Sequence, residues 1–356
     1  MRTESTSVVA QPLVRTGLLL LLVVSASRSQ TTNSLQPGPQ PSDISAQQKA
    51  WVGEYGPDGP MLNTVAEKNG KLVLFGKLLG QCELSQKSPT ELVAACPSKP
   101  NVTLHKDSSG ALYLRTDAWN FKRRDFGVDA TLVARIKPVR PVEELRSEAL
   151  AATPPEEKGQ FRVTDLVELS RLDPSIHLDI RYATANDFLG TPVYSQARAF
   201  LQRPAAEALL RVQQKLKPLG YGLLIHDAYR PWYVTKIFWE ATPPEGKIFV
   251  ADPAQGSRHN RGCAVDLTLY DLASGKPIEM PGTYDEMSPR SFPDYPGGTS
   301  LQRWHRDLLR RAMESEGFTV YEAEWWHFDY KDWKEYPIQN IPFEKLGLGP
   351  GSTPVH

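Results

Sequence analysis

Gly256-Ser257-Arg258-His259-Asn260-Arg261-Gly262-Cys263-Ala264-Val265-Asp266-Leu267-Thr268-Leu269 sets the reading of the whole chain. It holds an imidazole and a carboxylate, and the carboxylate lies inside an apolar, β-branched run that reads as a buried strand. An ionised carboxylate is strongly disfavoured there unless a cation or a dense set of donors faces it, and a metal ion is the strongest such partner. Downstream, Glu324-Trp325-Trp326-His327 offers a third ligand and, three residues before it, an acid. A His near an Asp is more often a hydrogen-bonded structural pair. Adding Glu324 and His327 shifts the balance, because Glu is rarely buried in aromatic surroundings for packing alone. Two His and one Asp leave an open position, the pattern of a catalytic zinc site and not a structural one.

These residues carry a family resemblance. Ser257, His259, Gly262, Ala264 and Asp266 fit a Ser-x-His-x-x-Gly-x-Ala-x-Asp pattern, and Glu324 to His327 a Glu-x-x-His pattern. Both resemble the zinc D-alanyl-D-alanine dipeptidases of the vancomycin-resistance type. Further matching segments are Asp179-Ile180-Arg181-Tyr182-Ala183-Thr184, Gly220-Tyr221-Gly222-Leu223-Leu224, Asp227-Ala228-Tyr229-Arg230-Pro231 and Asp266-Leu267-Thr268-Leu269-Tyr270. Several separated motifs in one order are far more specific than any one of them. The departures are His226, where relatives usually carry Trp, Ala228 in place of a common Gly, and Arg258 and Asn260 flanking His259. None removes a ligand or the base, and His226 is not expected to be a fourth ligand.

The resemblance assigns roles. One Zn2+ per catalytic domain is held by His259, Asp266 and His327 and raises the acidity of a water, and Glu324 is the base that takes that water's proton. Arg230 faces the oxyanion of the tetrahedral intermediate, where a fixed guanidinium lowers the barrier by roughly 3 kcal/mol. Asp227 orients Arg230. Ser257 and Asp285 hold the substrate's free amino end, Tyr182 lines the pocket, and Trp325 and Trp326 pack around the metal. A carboxylate facing the ammonium makes a dipeptidase, since a longer peptide would leave that charge unpaired.

The 41 basic residues balance the 41 acidic ones, so no basic field is available to hold nucleic acid or an anionic membrane. At 356 residues, about two domains are expected. Residues 1–26 read as a signal peptide, with Arg2 and Arg15 ahead of Leu18-Leu19-Leu20-Leu21-Leu22-Val23-Val24 and a cleavage site at Val24-Ser25-Ala26. The apolar run is too short to span a bilayer, so the mature protein is expected to be exported, periplasmic or secreted, with no stable membrane span. In that compartment Cys82 and Cys96 can pair. Cys263 is left over as a small apolar filler.

Residues 27–47, rich in Ser, Thr, Gln and Pro, read as a disordered linker. Residues 48–137 read as a small all-β domain. Its strand runs are Lys71 to Phe75, Val102 to Leu104, Ala111 to Leu114 and Thr131 to Ile136, with turns at Asn69-Gly70 and Asp107 to Gly110. The expectation for this domain is that it packs on its neighbour, and cell-wall contact through it is the alternative. Residues 138–160, with Pro141, Pro154 and Pro155 around a helix-like Glu143 to Ala151, read as a connector. Residues 161–346 form the catalytic domain and 347–356 a tail. Its predicted helices open at Pro204, run from Trp232 to Ala241, and run from Thr299 to Gly317. The strands bearing His259, Asp266 and His327 must be neighbours in one sheet, and the fold class is α+β, a mixed or antiparallel sheet with flanking helices.

The leading expectation is an exported zinc metallopeptidase cleaving D-alanyl-D-alanine in cell-wall peptide turnover or recycling. A D,D- or L,D-carboxypeptidase on longer peptidoglycan peptides is the alternative within enzymes, and Asp285 argues against it. A non-catalytic, zinc-stabilised binding module is the alternative outside them. Glu324 and Arg230, which a structural site would not need, argue against that.

Overall fold

The computed structural model describes Met1 and residues 35–97, 99–125 and 135–346. The rest of the expected signal peptide, the start of the linker, most of the run from Thr131 to Ile136 and the tail 347–356 lie outside these residues.

A short helix, α1 (Ala46–Trp51), leads into an antiparallel meander. Its strands are β1 (Gly53–Tyr55), β2 (Asn63–Lys68), β3 (Lys71–Gly76), β4 (Gly80–Ser88), β5 (Glu91–Cys96), β6 (Lys99–Lys106), β7 (Leu112–Arg115) and β8 (Asn120–Lys122), each paired with the next. Two predicted turns join strands here. Asn69 and Gly70 both have positive φ, 52° and 82°, the backbone that an Asn-Gly hairpin turn needs. Asp107 Oδ1 accepts from the backbone of Ser109 and Ala111. Tyr55, Val65, Leu74, Leu104 and Leu114 are buried in a core belonging to the meander. Cys82 and Cys96 form a disulfide, Cα to Cα 4.5 Å.

The larger core lies around a second sheet. In chain order the elements are α2 (Val142–Ala151), β9 (Leu166–Glu168), α3 (Leu169–Leu172), β10 (His177–Leu178), β11 (Phe200–Gln202), α4 (Arg203–Leu216), β12 (Tyr221–Asp227), α5 (Trp232–Ala241), β13 (Ala264–Asp271), α6 (Ser300–Glu314), β14 (Phe318–Tyr321) and β15 (Glu324–Tyr330). The sheet order is β10-β12-β13-β15-β14, with β10 parallel to β12 and the other pairs antiparallel. This is the expected mixed α+β content. α4 carries Pro204 in its first turn, and the chain leaves the short 3-10 turn after it through Gly220 at φ 87°. Thr299 caps α6 through a reciprocal box with Gln302.

Two stretches differ from the sequence reading. From Leu35 onward the expected linker packs on this core: Trp304 Nε1 donates to the Gly38 carbonyl at 3.0 Å, and Gln40 donates to the Tyr221 hydroxyl at 3.3 Å. Polar composition hid these contacts because they are made largely by backbone and by a single amide. The expected connector holds α2, which packs on α5 and sends Val142, Leu145 and Ala149 into the core. The prolines there bound a helix that is part of the core.

The meander docks at the start of α6. Glu67 is buried, and its carboxylate accepts from the Ser300 backbone N–H at 2.6 Å and from the Ser300 hydroxyl at 3.2 Å. Arg303 donates to the Glu67 carbonyl at 2.7 Å, and Ala66 bridges to Gly298. A carboxylate at a helix N-terminus meets unsatisfied N–H groups and the positive end of the helix dipole.

Candidate active site

Strand register assembles the site. Asp227 pairs with Asp266 across β12 and β13, and Asp266 with His327 across β13 and β15, so three polar side chains stand abreast at one end of the sheet. The pairing of β12 shifts at His226, a bulge that re-aims the strand end just before Ala228, Tyr229 and Arg230. His259 lies not on a strand, as expected, but in the short turn His259–Arg261 that feeds β13, where Gly262 breaks the run before the strand begins, and its carbonyl accepts from the Arg230 backbone at 3.1 Å. Gly262, at φ 70°, ends that turn, and a Cβ there would meet Leu166 at 2.4 Å.

His259 Nε2, Asp266 Oδ1 and His327 Nδ1 converge. The separations are 3.1 Å between the two nitrogens, 3.4 Å from His259 to Asp266 and 3.0 Å from His327 to Asp266. Donors roughly 2.1 Å from a tetrahedral metal ion stand about 3.4 Å apart. The outer nitrogens are engaged elsewhere: His259 Nδ1 with the Ala228 carbonyl at 2.6 Å, and His327 Nε2 with Asp329 Oδ1 at 2.9 Å. Committing the ring protons outward leaves both inner lone pairs facing the gap. Asp266 Oδ1, buried, has no hydrogen-bond partner. The three residues therefore fit a metal ion, and are the group among the described residues that could hold one.

Glu324 opens β15, its Oε2 3.6 Å from His327 Nδ1. Burial, aided by the charge of Asp266, pushes its pKa up to about 8, which suits a group that must accept and return a proton near neutrality. Arg230 is buried with its Nε and Nη2 on Asp227 Oδ2 at 2.9 and 2.8 Å, and Nη2 is 3.8 Å from Asp266. Asp227 is held in turn by the Tyr194 hydroxyl at 2.7 Å and the Ala228 N–H at 2.8 Å. The guanidinium lies over the Tyr182 and Phe238 rings. It is a fixed charge facing the gap between the strands.

These groups line one small cavity of about 100 Å³, with Ser257, Tyr182, Asp285, Arg258 and Trp326 in its wall. Asp285 has φ 59°, a left-handed backbone uncommon for a residue other than Gly. Its Oδ1 accepts from the Tyr182 hydroxyl at 3.0 Å, whereas Oδ2 is buried and has no hydrogen-bond partner. Burial and the nearby Asp266 raise its pKa well above the ordinary value. A carboxylate so placed lacks a cation. Ser257 is buried, with its Oγ accepting from the His259 N–H at 3.2 Å.

Three residues stand apart from the cavity. Trp325 is on the opposite face of β15 from Trp326, as strand alternation requires, and does not line the cavity. Asp227 lies behind Arg230. His226 points to Asp179, Nδ1 to Oδ2 3.4 Å, and stacks on Tyr284. Sequence reasoning missed Asp329 and Tyr284, whose hydroxyl donates to Asp266 Oδ2 at 3.3 Å. The signal for Asp329 was present: two residues after His327 on a strand is the same face.

A model of the D-ala-D-ala dipeptidase family matches residues 162–345, just over half the chain and including every residue assigned to the site. The chain belongs to this family. It is a peptidase. The D-alanyl-D-alanine dipeptidase of Escherichia coli K12 is 35% identical over 192 residues, covering 54% of this chain and 97% of that protein. The D-alanyl-D-alanine dipeptidases of Enterococcus faecium and Streptomyces coelicolor are 35% and 33% identical over 193 and 186 residues. They cover 48% and 47% of this chain, and 95% and 92% of their own lengths. The meander lies outside the family match.

Proposed function

We propose that this peptidase is an exported, zinc-dependent dipeptidase that hydrolyses D-alanyl-D-alanine, in turnover or recycling of wall peptides. The observation that carries the dipeptide reading is Asp285, a half-buried residue whose enclosed Oδ2 has no hydrogen-bond partner, in the same cavity as Glu324 and Arg230. An ammonium is the partner it lacks, and a substrate with a free amino group adjacent to the scissile bond supplies one.

His259, Asp266 and His327 would hold one Zn2+, which supplies Lewis acidity to the scissile carbonyl and to the attacking water. Glu324 takes a proton from the water and returns it to the leaving amine. Arg230, held by Asp227, faces the oxygen that gains negative charge, and its charge is kept in place by the Asp227 carboxylate and the aromatic rings around it. Asp285, braced by Tyr182, and Ser257 hold the ammonium and fix the length of peptide that fits. A longer peptide loses this pairing, and the site then carries an unpaired buried charge.

Export rests on the apolar run at Leu18 to Val24. The Cys82–Cys96 disulfide supports an oxidising compartment. Among the described residues no helix is long and apolar enough to cross a membrane. The family match begins at residue 162, so wall contact by the meander gains no support from it. The division we propose keeps the meander, about residues 48–137, distinct from a catalytic domain at about 161–346.

Purified protein with one zinc is incubated with D-Ala-D-Ala, the L,L and L,D dipeptides and a longer wall peptide ending in D-Ala-D-Ala. Preferential cleavage of free D-Ala-D-Ala is expected. Faster release of D-Ala from the longer peptide would replace this reading with a carboxypeptidase.

A further inference from the structure

A peptide bound in the active-site cavity has two charged ends, and Asp285 answers only the ammonium. Among the side chains lining that cavity the permanent cations are Arg230 and Arg258. Asp285 and Glu324 share the lining, so a substrate carboxylate is repelled from much of it. Arg230 is buried and committed through Nε and Nη2 to Asp227. Arg258 stands at the position that the Ser-x-His pattern leaves open, one of the places where the chain departs from its relatives.

Arg258 is within reach of a ligand and only partly engaged. Its side chain is 39% exposed. Nε lies 3.5 Å from Asp329 Oδ2 without a hydrogen bond, and the other oxygen of Asp329 accepts from His327. The guanidinium carbon is 5.0 Å from the centre of the Trp333 ring and 5.9 Å from that of Tyr321. These contacts hold the group in place, and among the described residues neither Nη makes a hydrogen bond. A guanidinium held in this way offers a fork of parallel donors that fits a carboxylate.

The placement suits a peptide lying across the site. Arg230 follows β12 and lies over Tyr182, whose hydroxyl donates to Asp285. Arg258 sits against Asp329 of β15 and Tyr321 of β14. The sheet order β12-β13-β15-β14 thus sets the Asp285 end and the Arg258 end on opposite sides of Asp266 on β13. The ammonium and carboxylate of a dipeptide likewise lie on opposite sides of its peptide bond.

We propose that Arg258 is a specificity-determining residue whose Nη groups bind the free C-terminal carboxylate of the peptide, so that the leaving residue must be a free acid. This deepens the peptidase reading of the site and rests on it, but not on the peptide length that Asp285 admits. A longer wall peptide ending in a free carboxylate presents the same group.

The test compares D-Ala-D-Ala with its C-terminal amide on zinc-loaded wild type, Arg258→Gln and Arg258→Lys, with zinc content measured on each. Wild type is expected to favour the acid by roughly tenfold or more in kcat/KM, the loss of one charge-assisted pair. Arg258→Gln should lower the acid to the level of the amide, through KM with kcat little changed, and leave the amide as it was. Arg258→Lys should restore part of the preference. An equal loss on both substrates would make Arg258 a support for Asp329 and His327 alone, and an acid preference kept in Arg258→Gln would place the carboxylate elsewhere. Either result overturns the assignment. Calorimetric titration of the acid and the amide into Glu324→Gln, with and without Arg258→Gln, reads the same preference without turnover, and equal binding of the two overturns the assignment as well. Acid preference in binding with no turnover by wild type would instead overturn the hydrolytic reading and leave Arg258 its role.

Discussion

His327 and Asp329 share one face of β15, and the 2.9 Å contact between Nε2 and Oδ1 turns the other ring nitrogen of His327 toward Asp266 and His259. An outer carboxylate of this kind fixes the tautomer and orientation of a metal-ligating imidazole. Asp329→Ala should therefore weaken zinc affinity by 10- to 100-fold while leaving all three ligands in place. Competition with a chelator of known affinity measures it, and wild-type affinity would show that Asp329 is only a neighbour.

Asp285→Asn keeps the shape of the side chain and removes the charge that would meet an ammonium. KM for D-Ala-D-Ala should rise by roughly tenfold or more, whereas an amino-blocked dipeptide should stay as poor a substrate as it was. Steady-state kinetics on the two substrates decide this. An unchanged preference would remove the basis of the dipeptidase reading and leave a zinc carboxypeptidase.

Glu67 joins the two sheets through the first turn of α6. Glu67→Ala leaves the Ser300 N–H and hydroxyl without their partner and removes an anion from the helix N-terminus, a loss of about 1–3 kcal/mol. Denaturant unfolding of the full chain should register it. No measurable change would mean that the meander adds nothing to the stability of α6.

His305, buried on α6 against the Tyr221 hydroxyl at 3.0 Å, has its pKa pulled down by burial to about 4. The unfolded chain binds a proton at this imidazole below about pH 6.5, and the folded chain only below about pH 4. Its contribution is thus complete above pH 6.5 and is lost as pH falls toward 4, on the order of 3 kcal/mol. Thermal unfolding across that window should be visibly flatter with pH in His305→Gln than in wild type. Parallel curves would exclude His305 as a source of the acid sensitivity.

The buried cluster of Asp266 and His327 was legible in the sequence because rare residue types stand in buried strands: Asp266 among Val265 and Leu267, His327 after Trp326. The predicted helix from Trp232 to Ala241 matches α5 in both bounds, because proline before it and an apolar face within it leave little choice. Much of the meander was not legible. β4, with Gln81, Glu83, Gln86 and Lys87 along it, is mostly solvent-facing, and β2 buries the charge of Glu67, so neither has a clean alternation. Long-range contacts were hidden for another reason. The Glu67 carboxylate on α6, the Ala228 carbonyl on His259 and the Gly38 carbonyl on Trp304 all involve backbone groups, which carry no mark in the sequence.

The most direct measurement of the account is turnover of D-Ala-D-Ala by Glu324→Gln with zinc content determined on the same sample. Glu324 is assigned as a proton carrier beside the ligands, so the variant should retain one zinc per chain and lose at least ~100-fold in kcat. Full activity with zinc retained would contradict the mechanism, and loss of the zinc itself would make Glu324 a ligand and not the base.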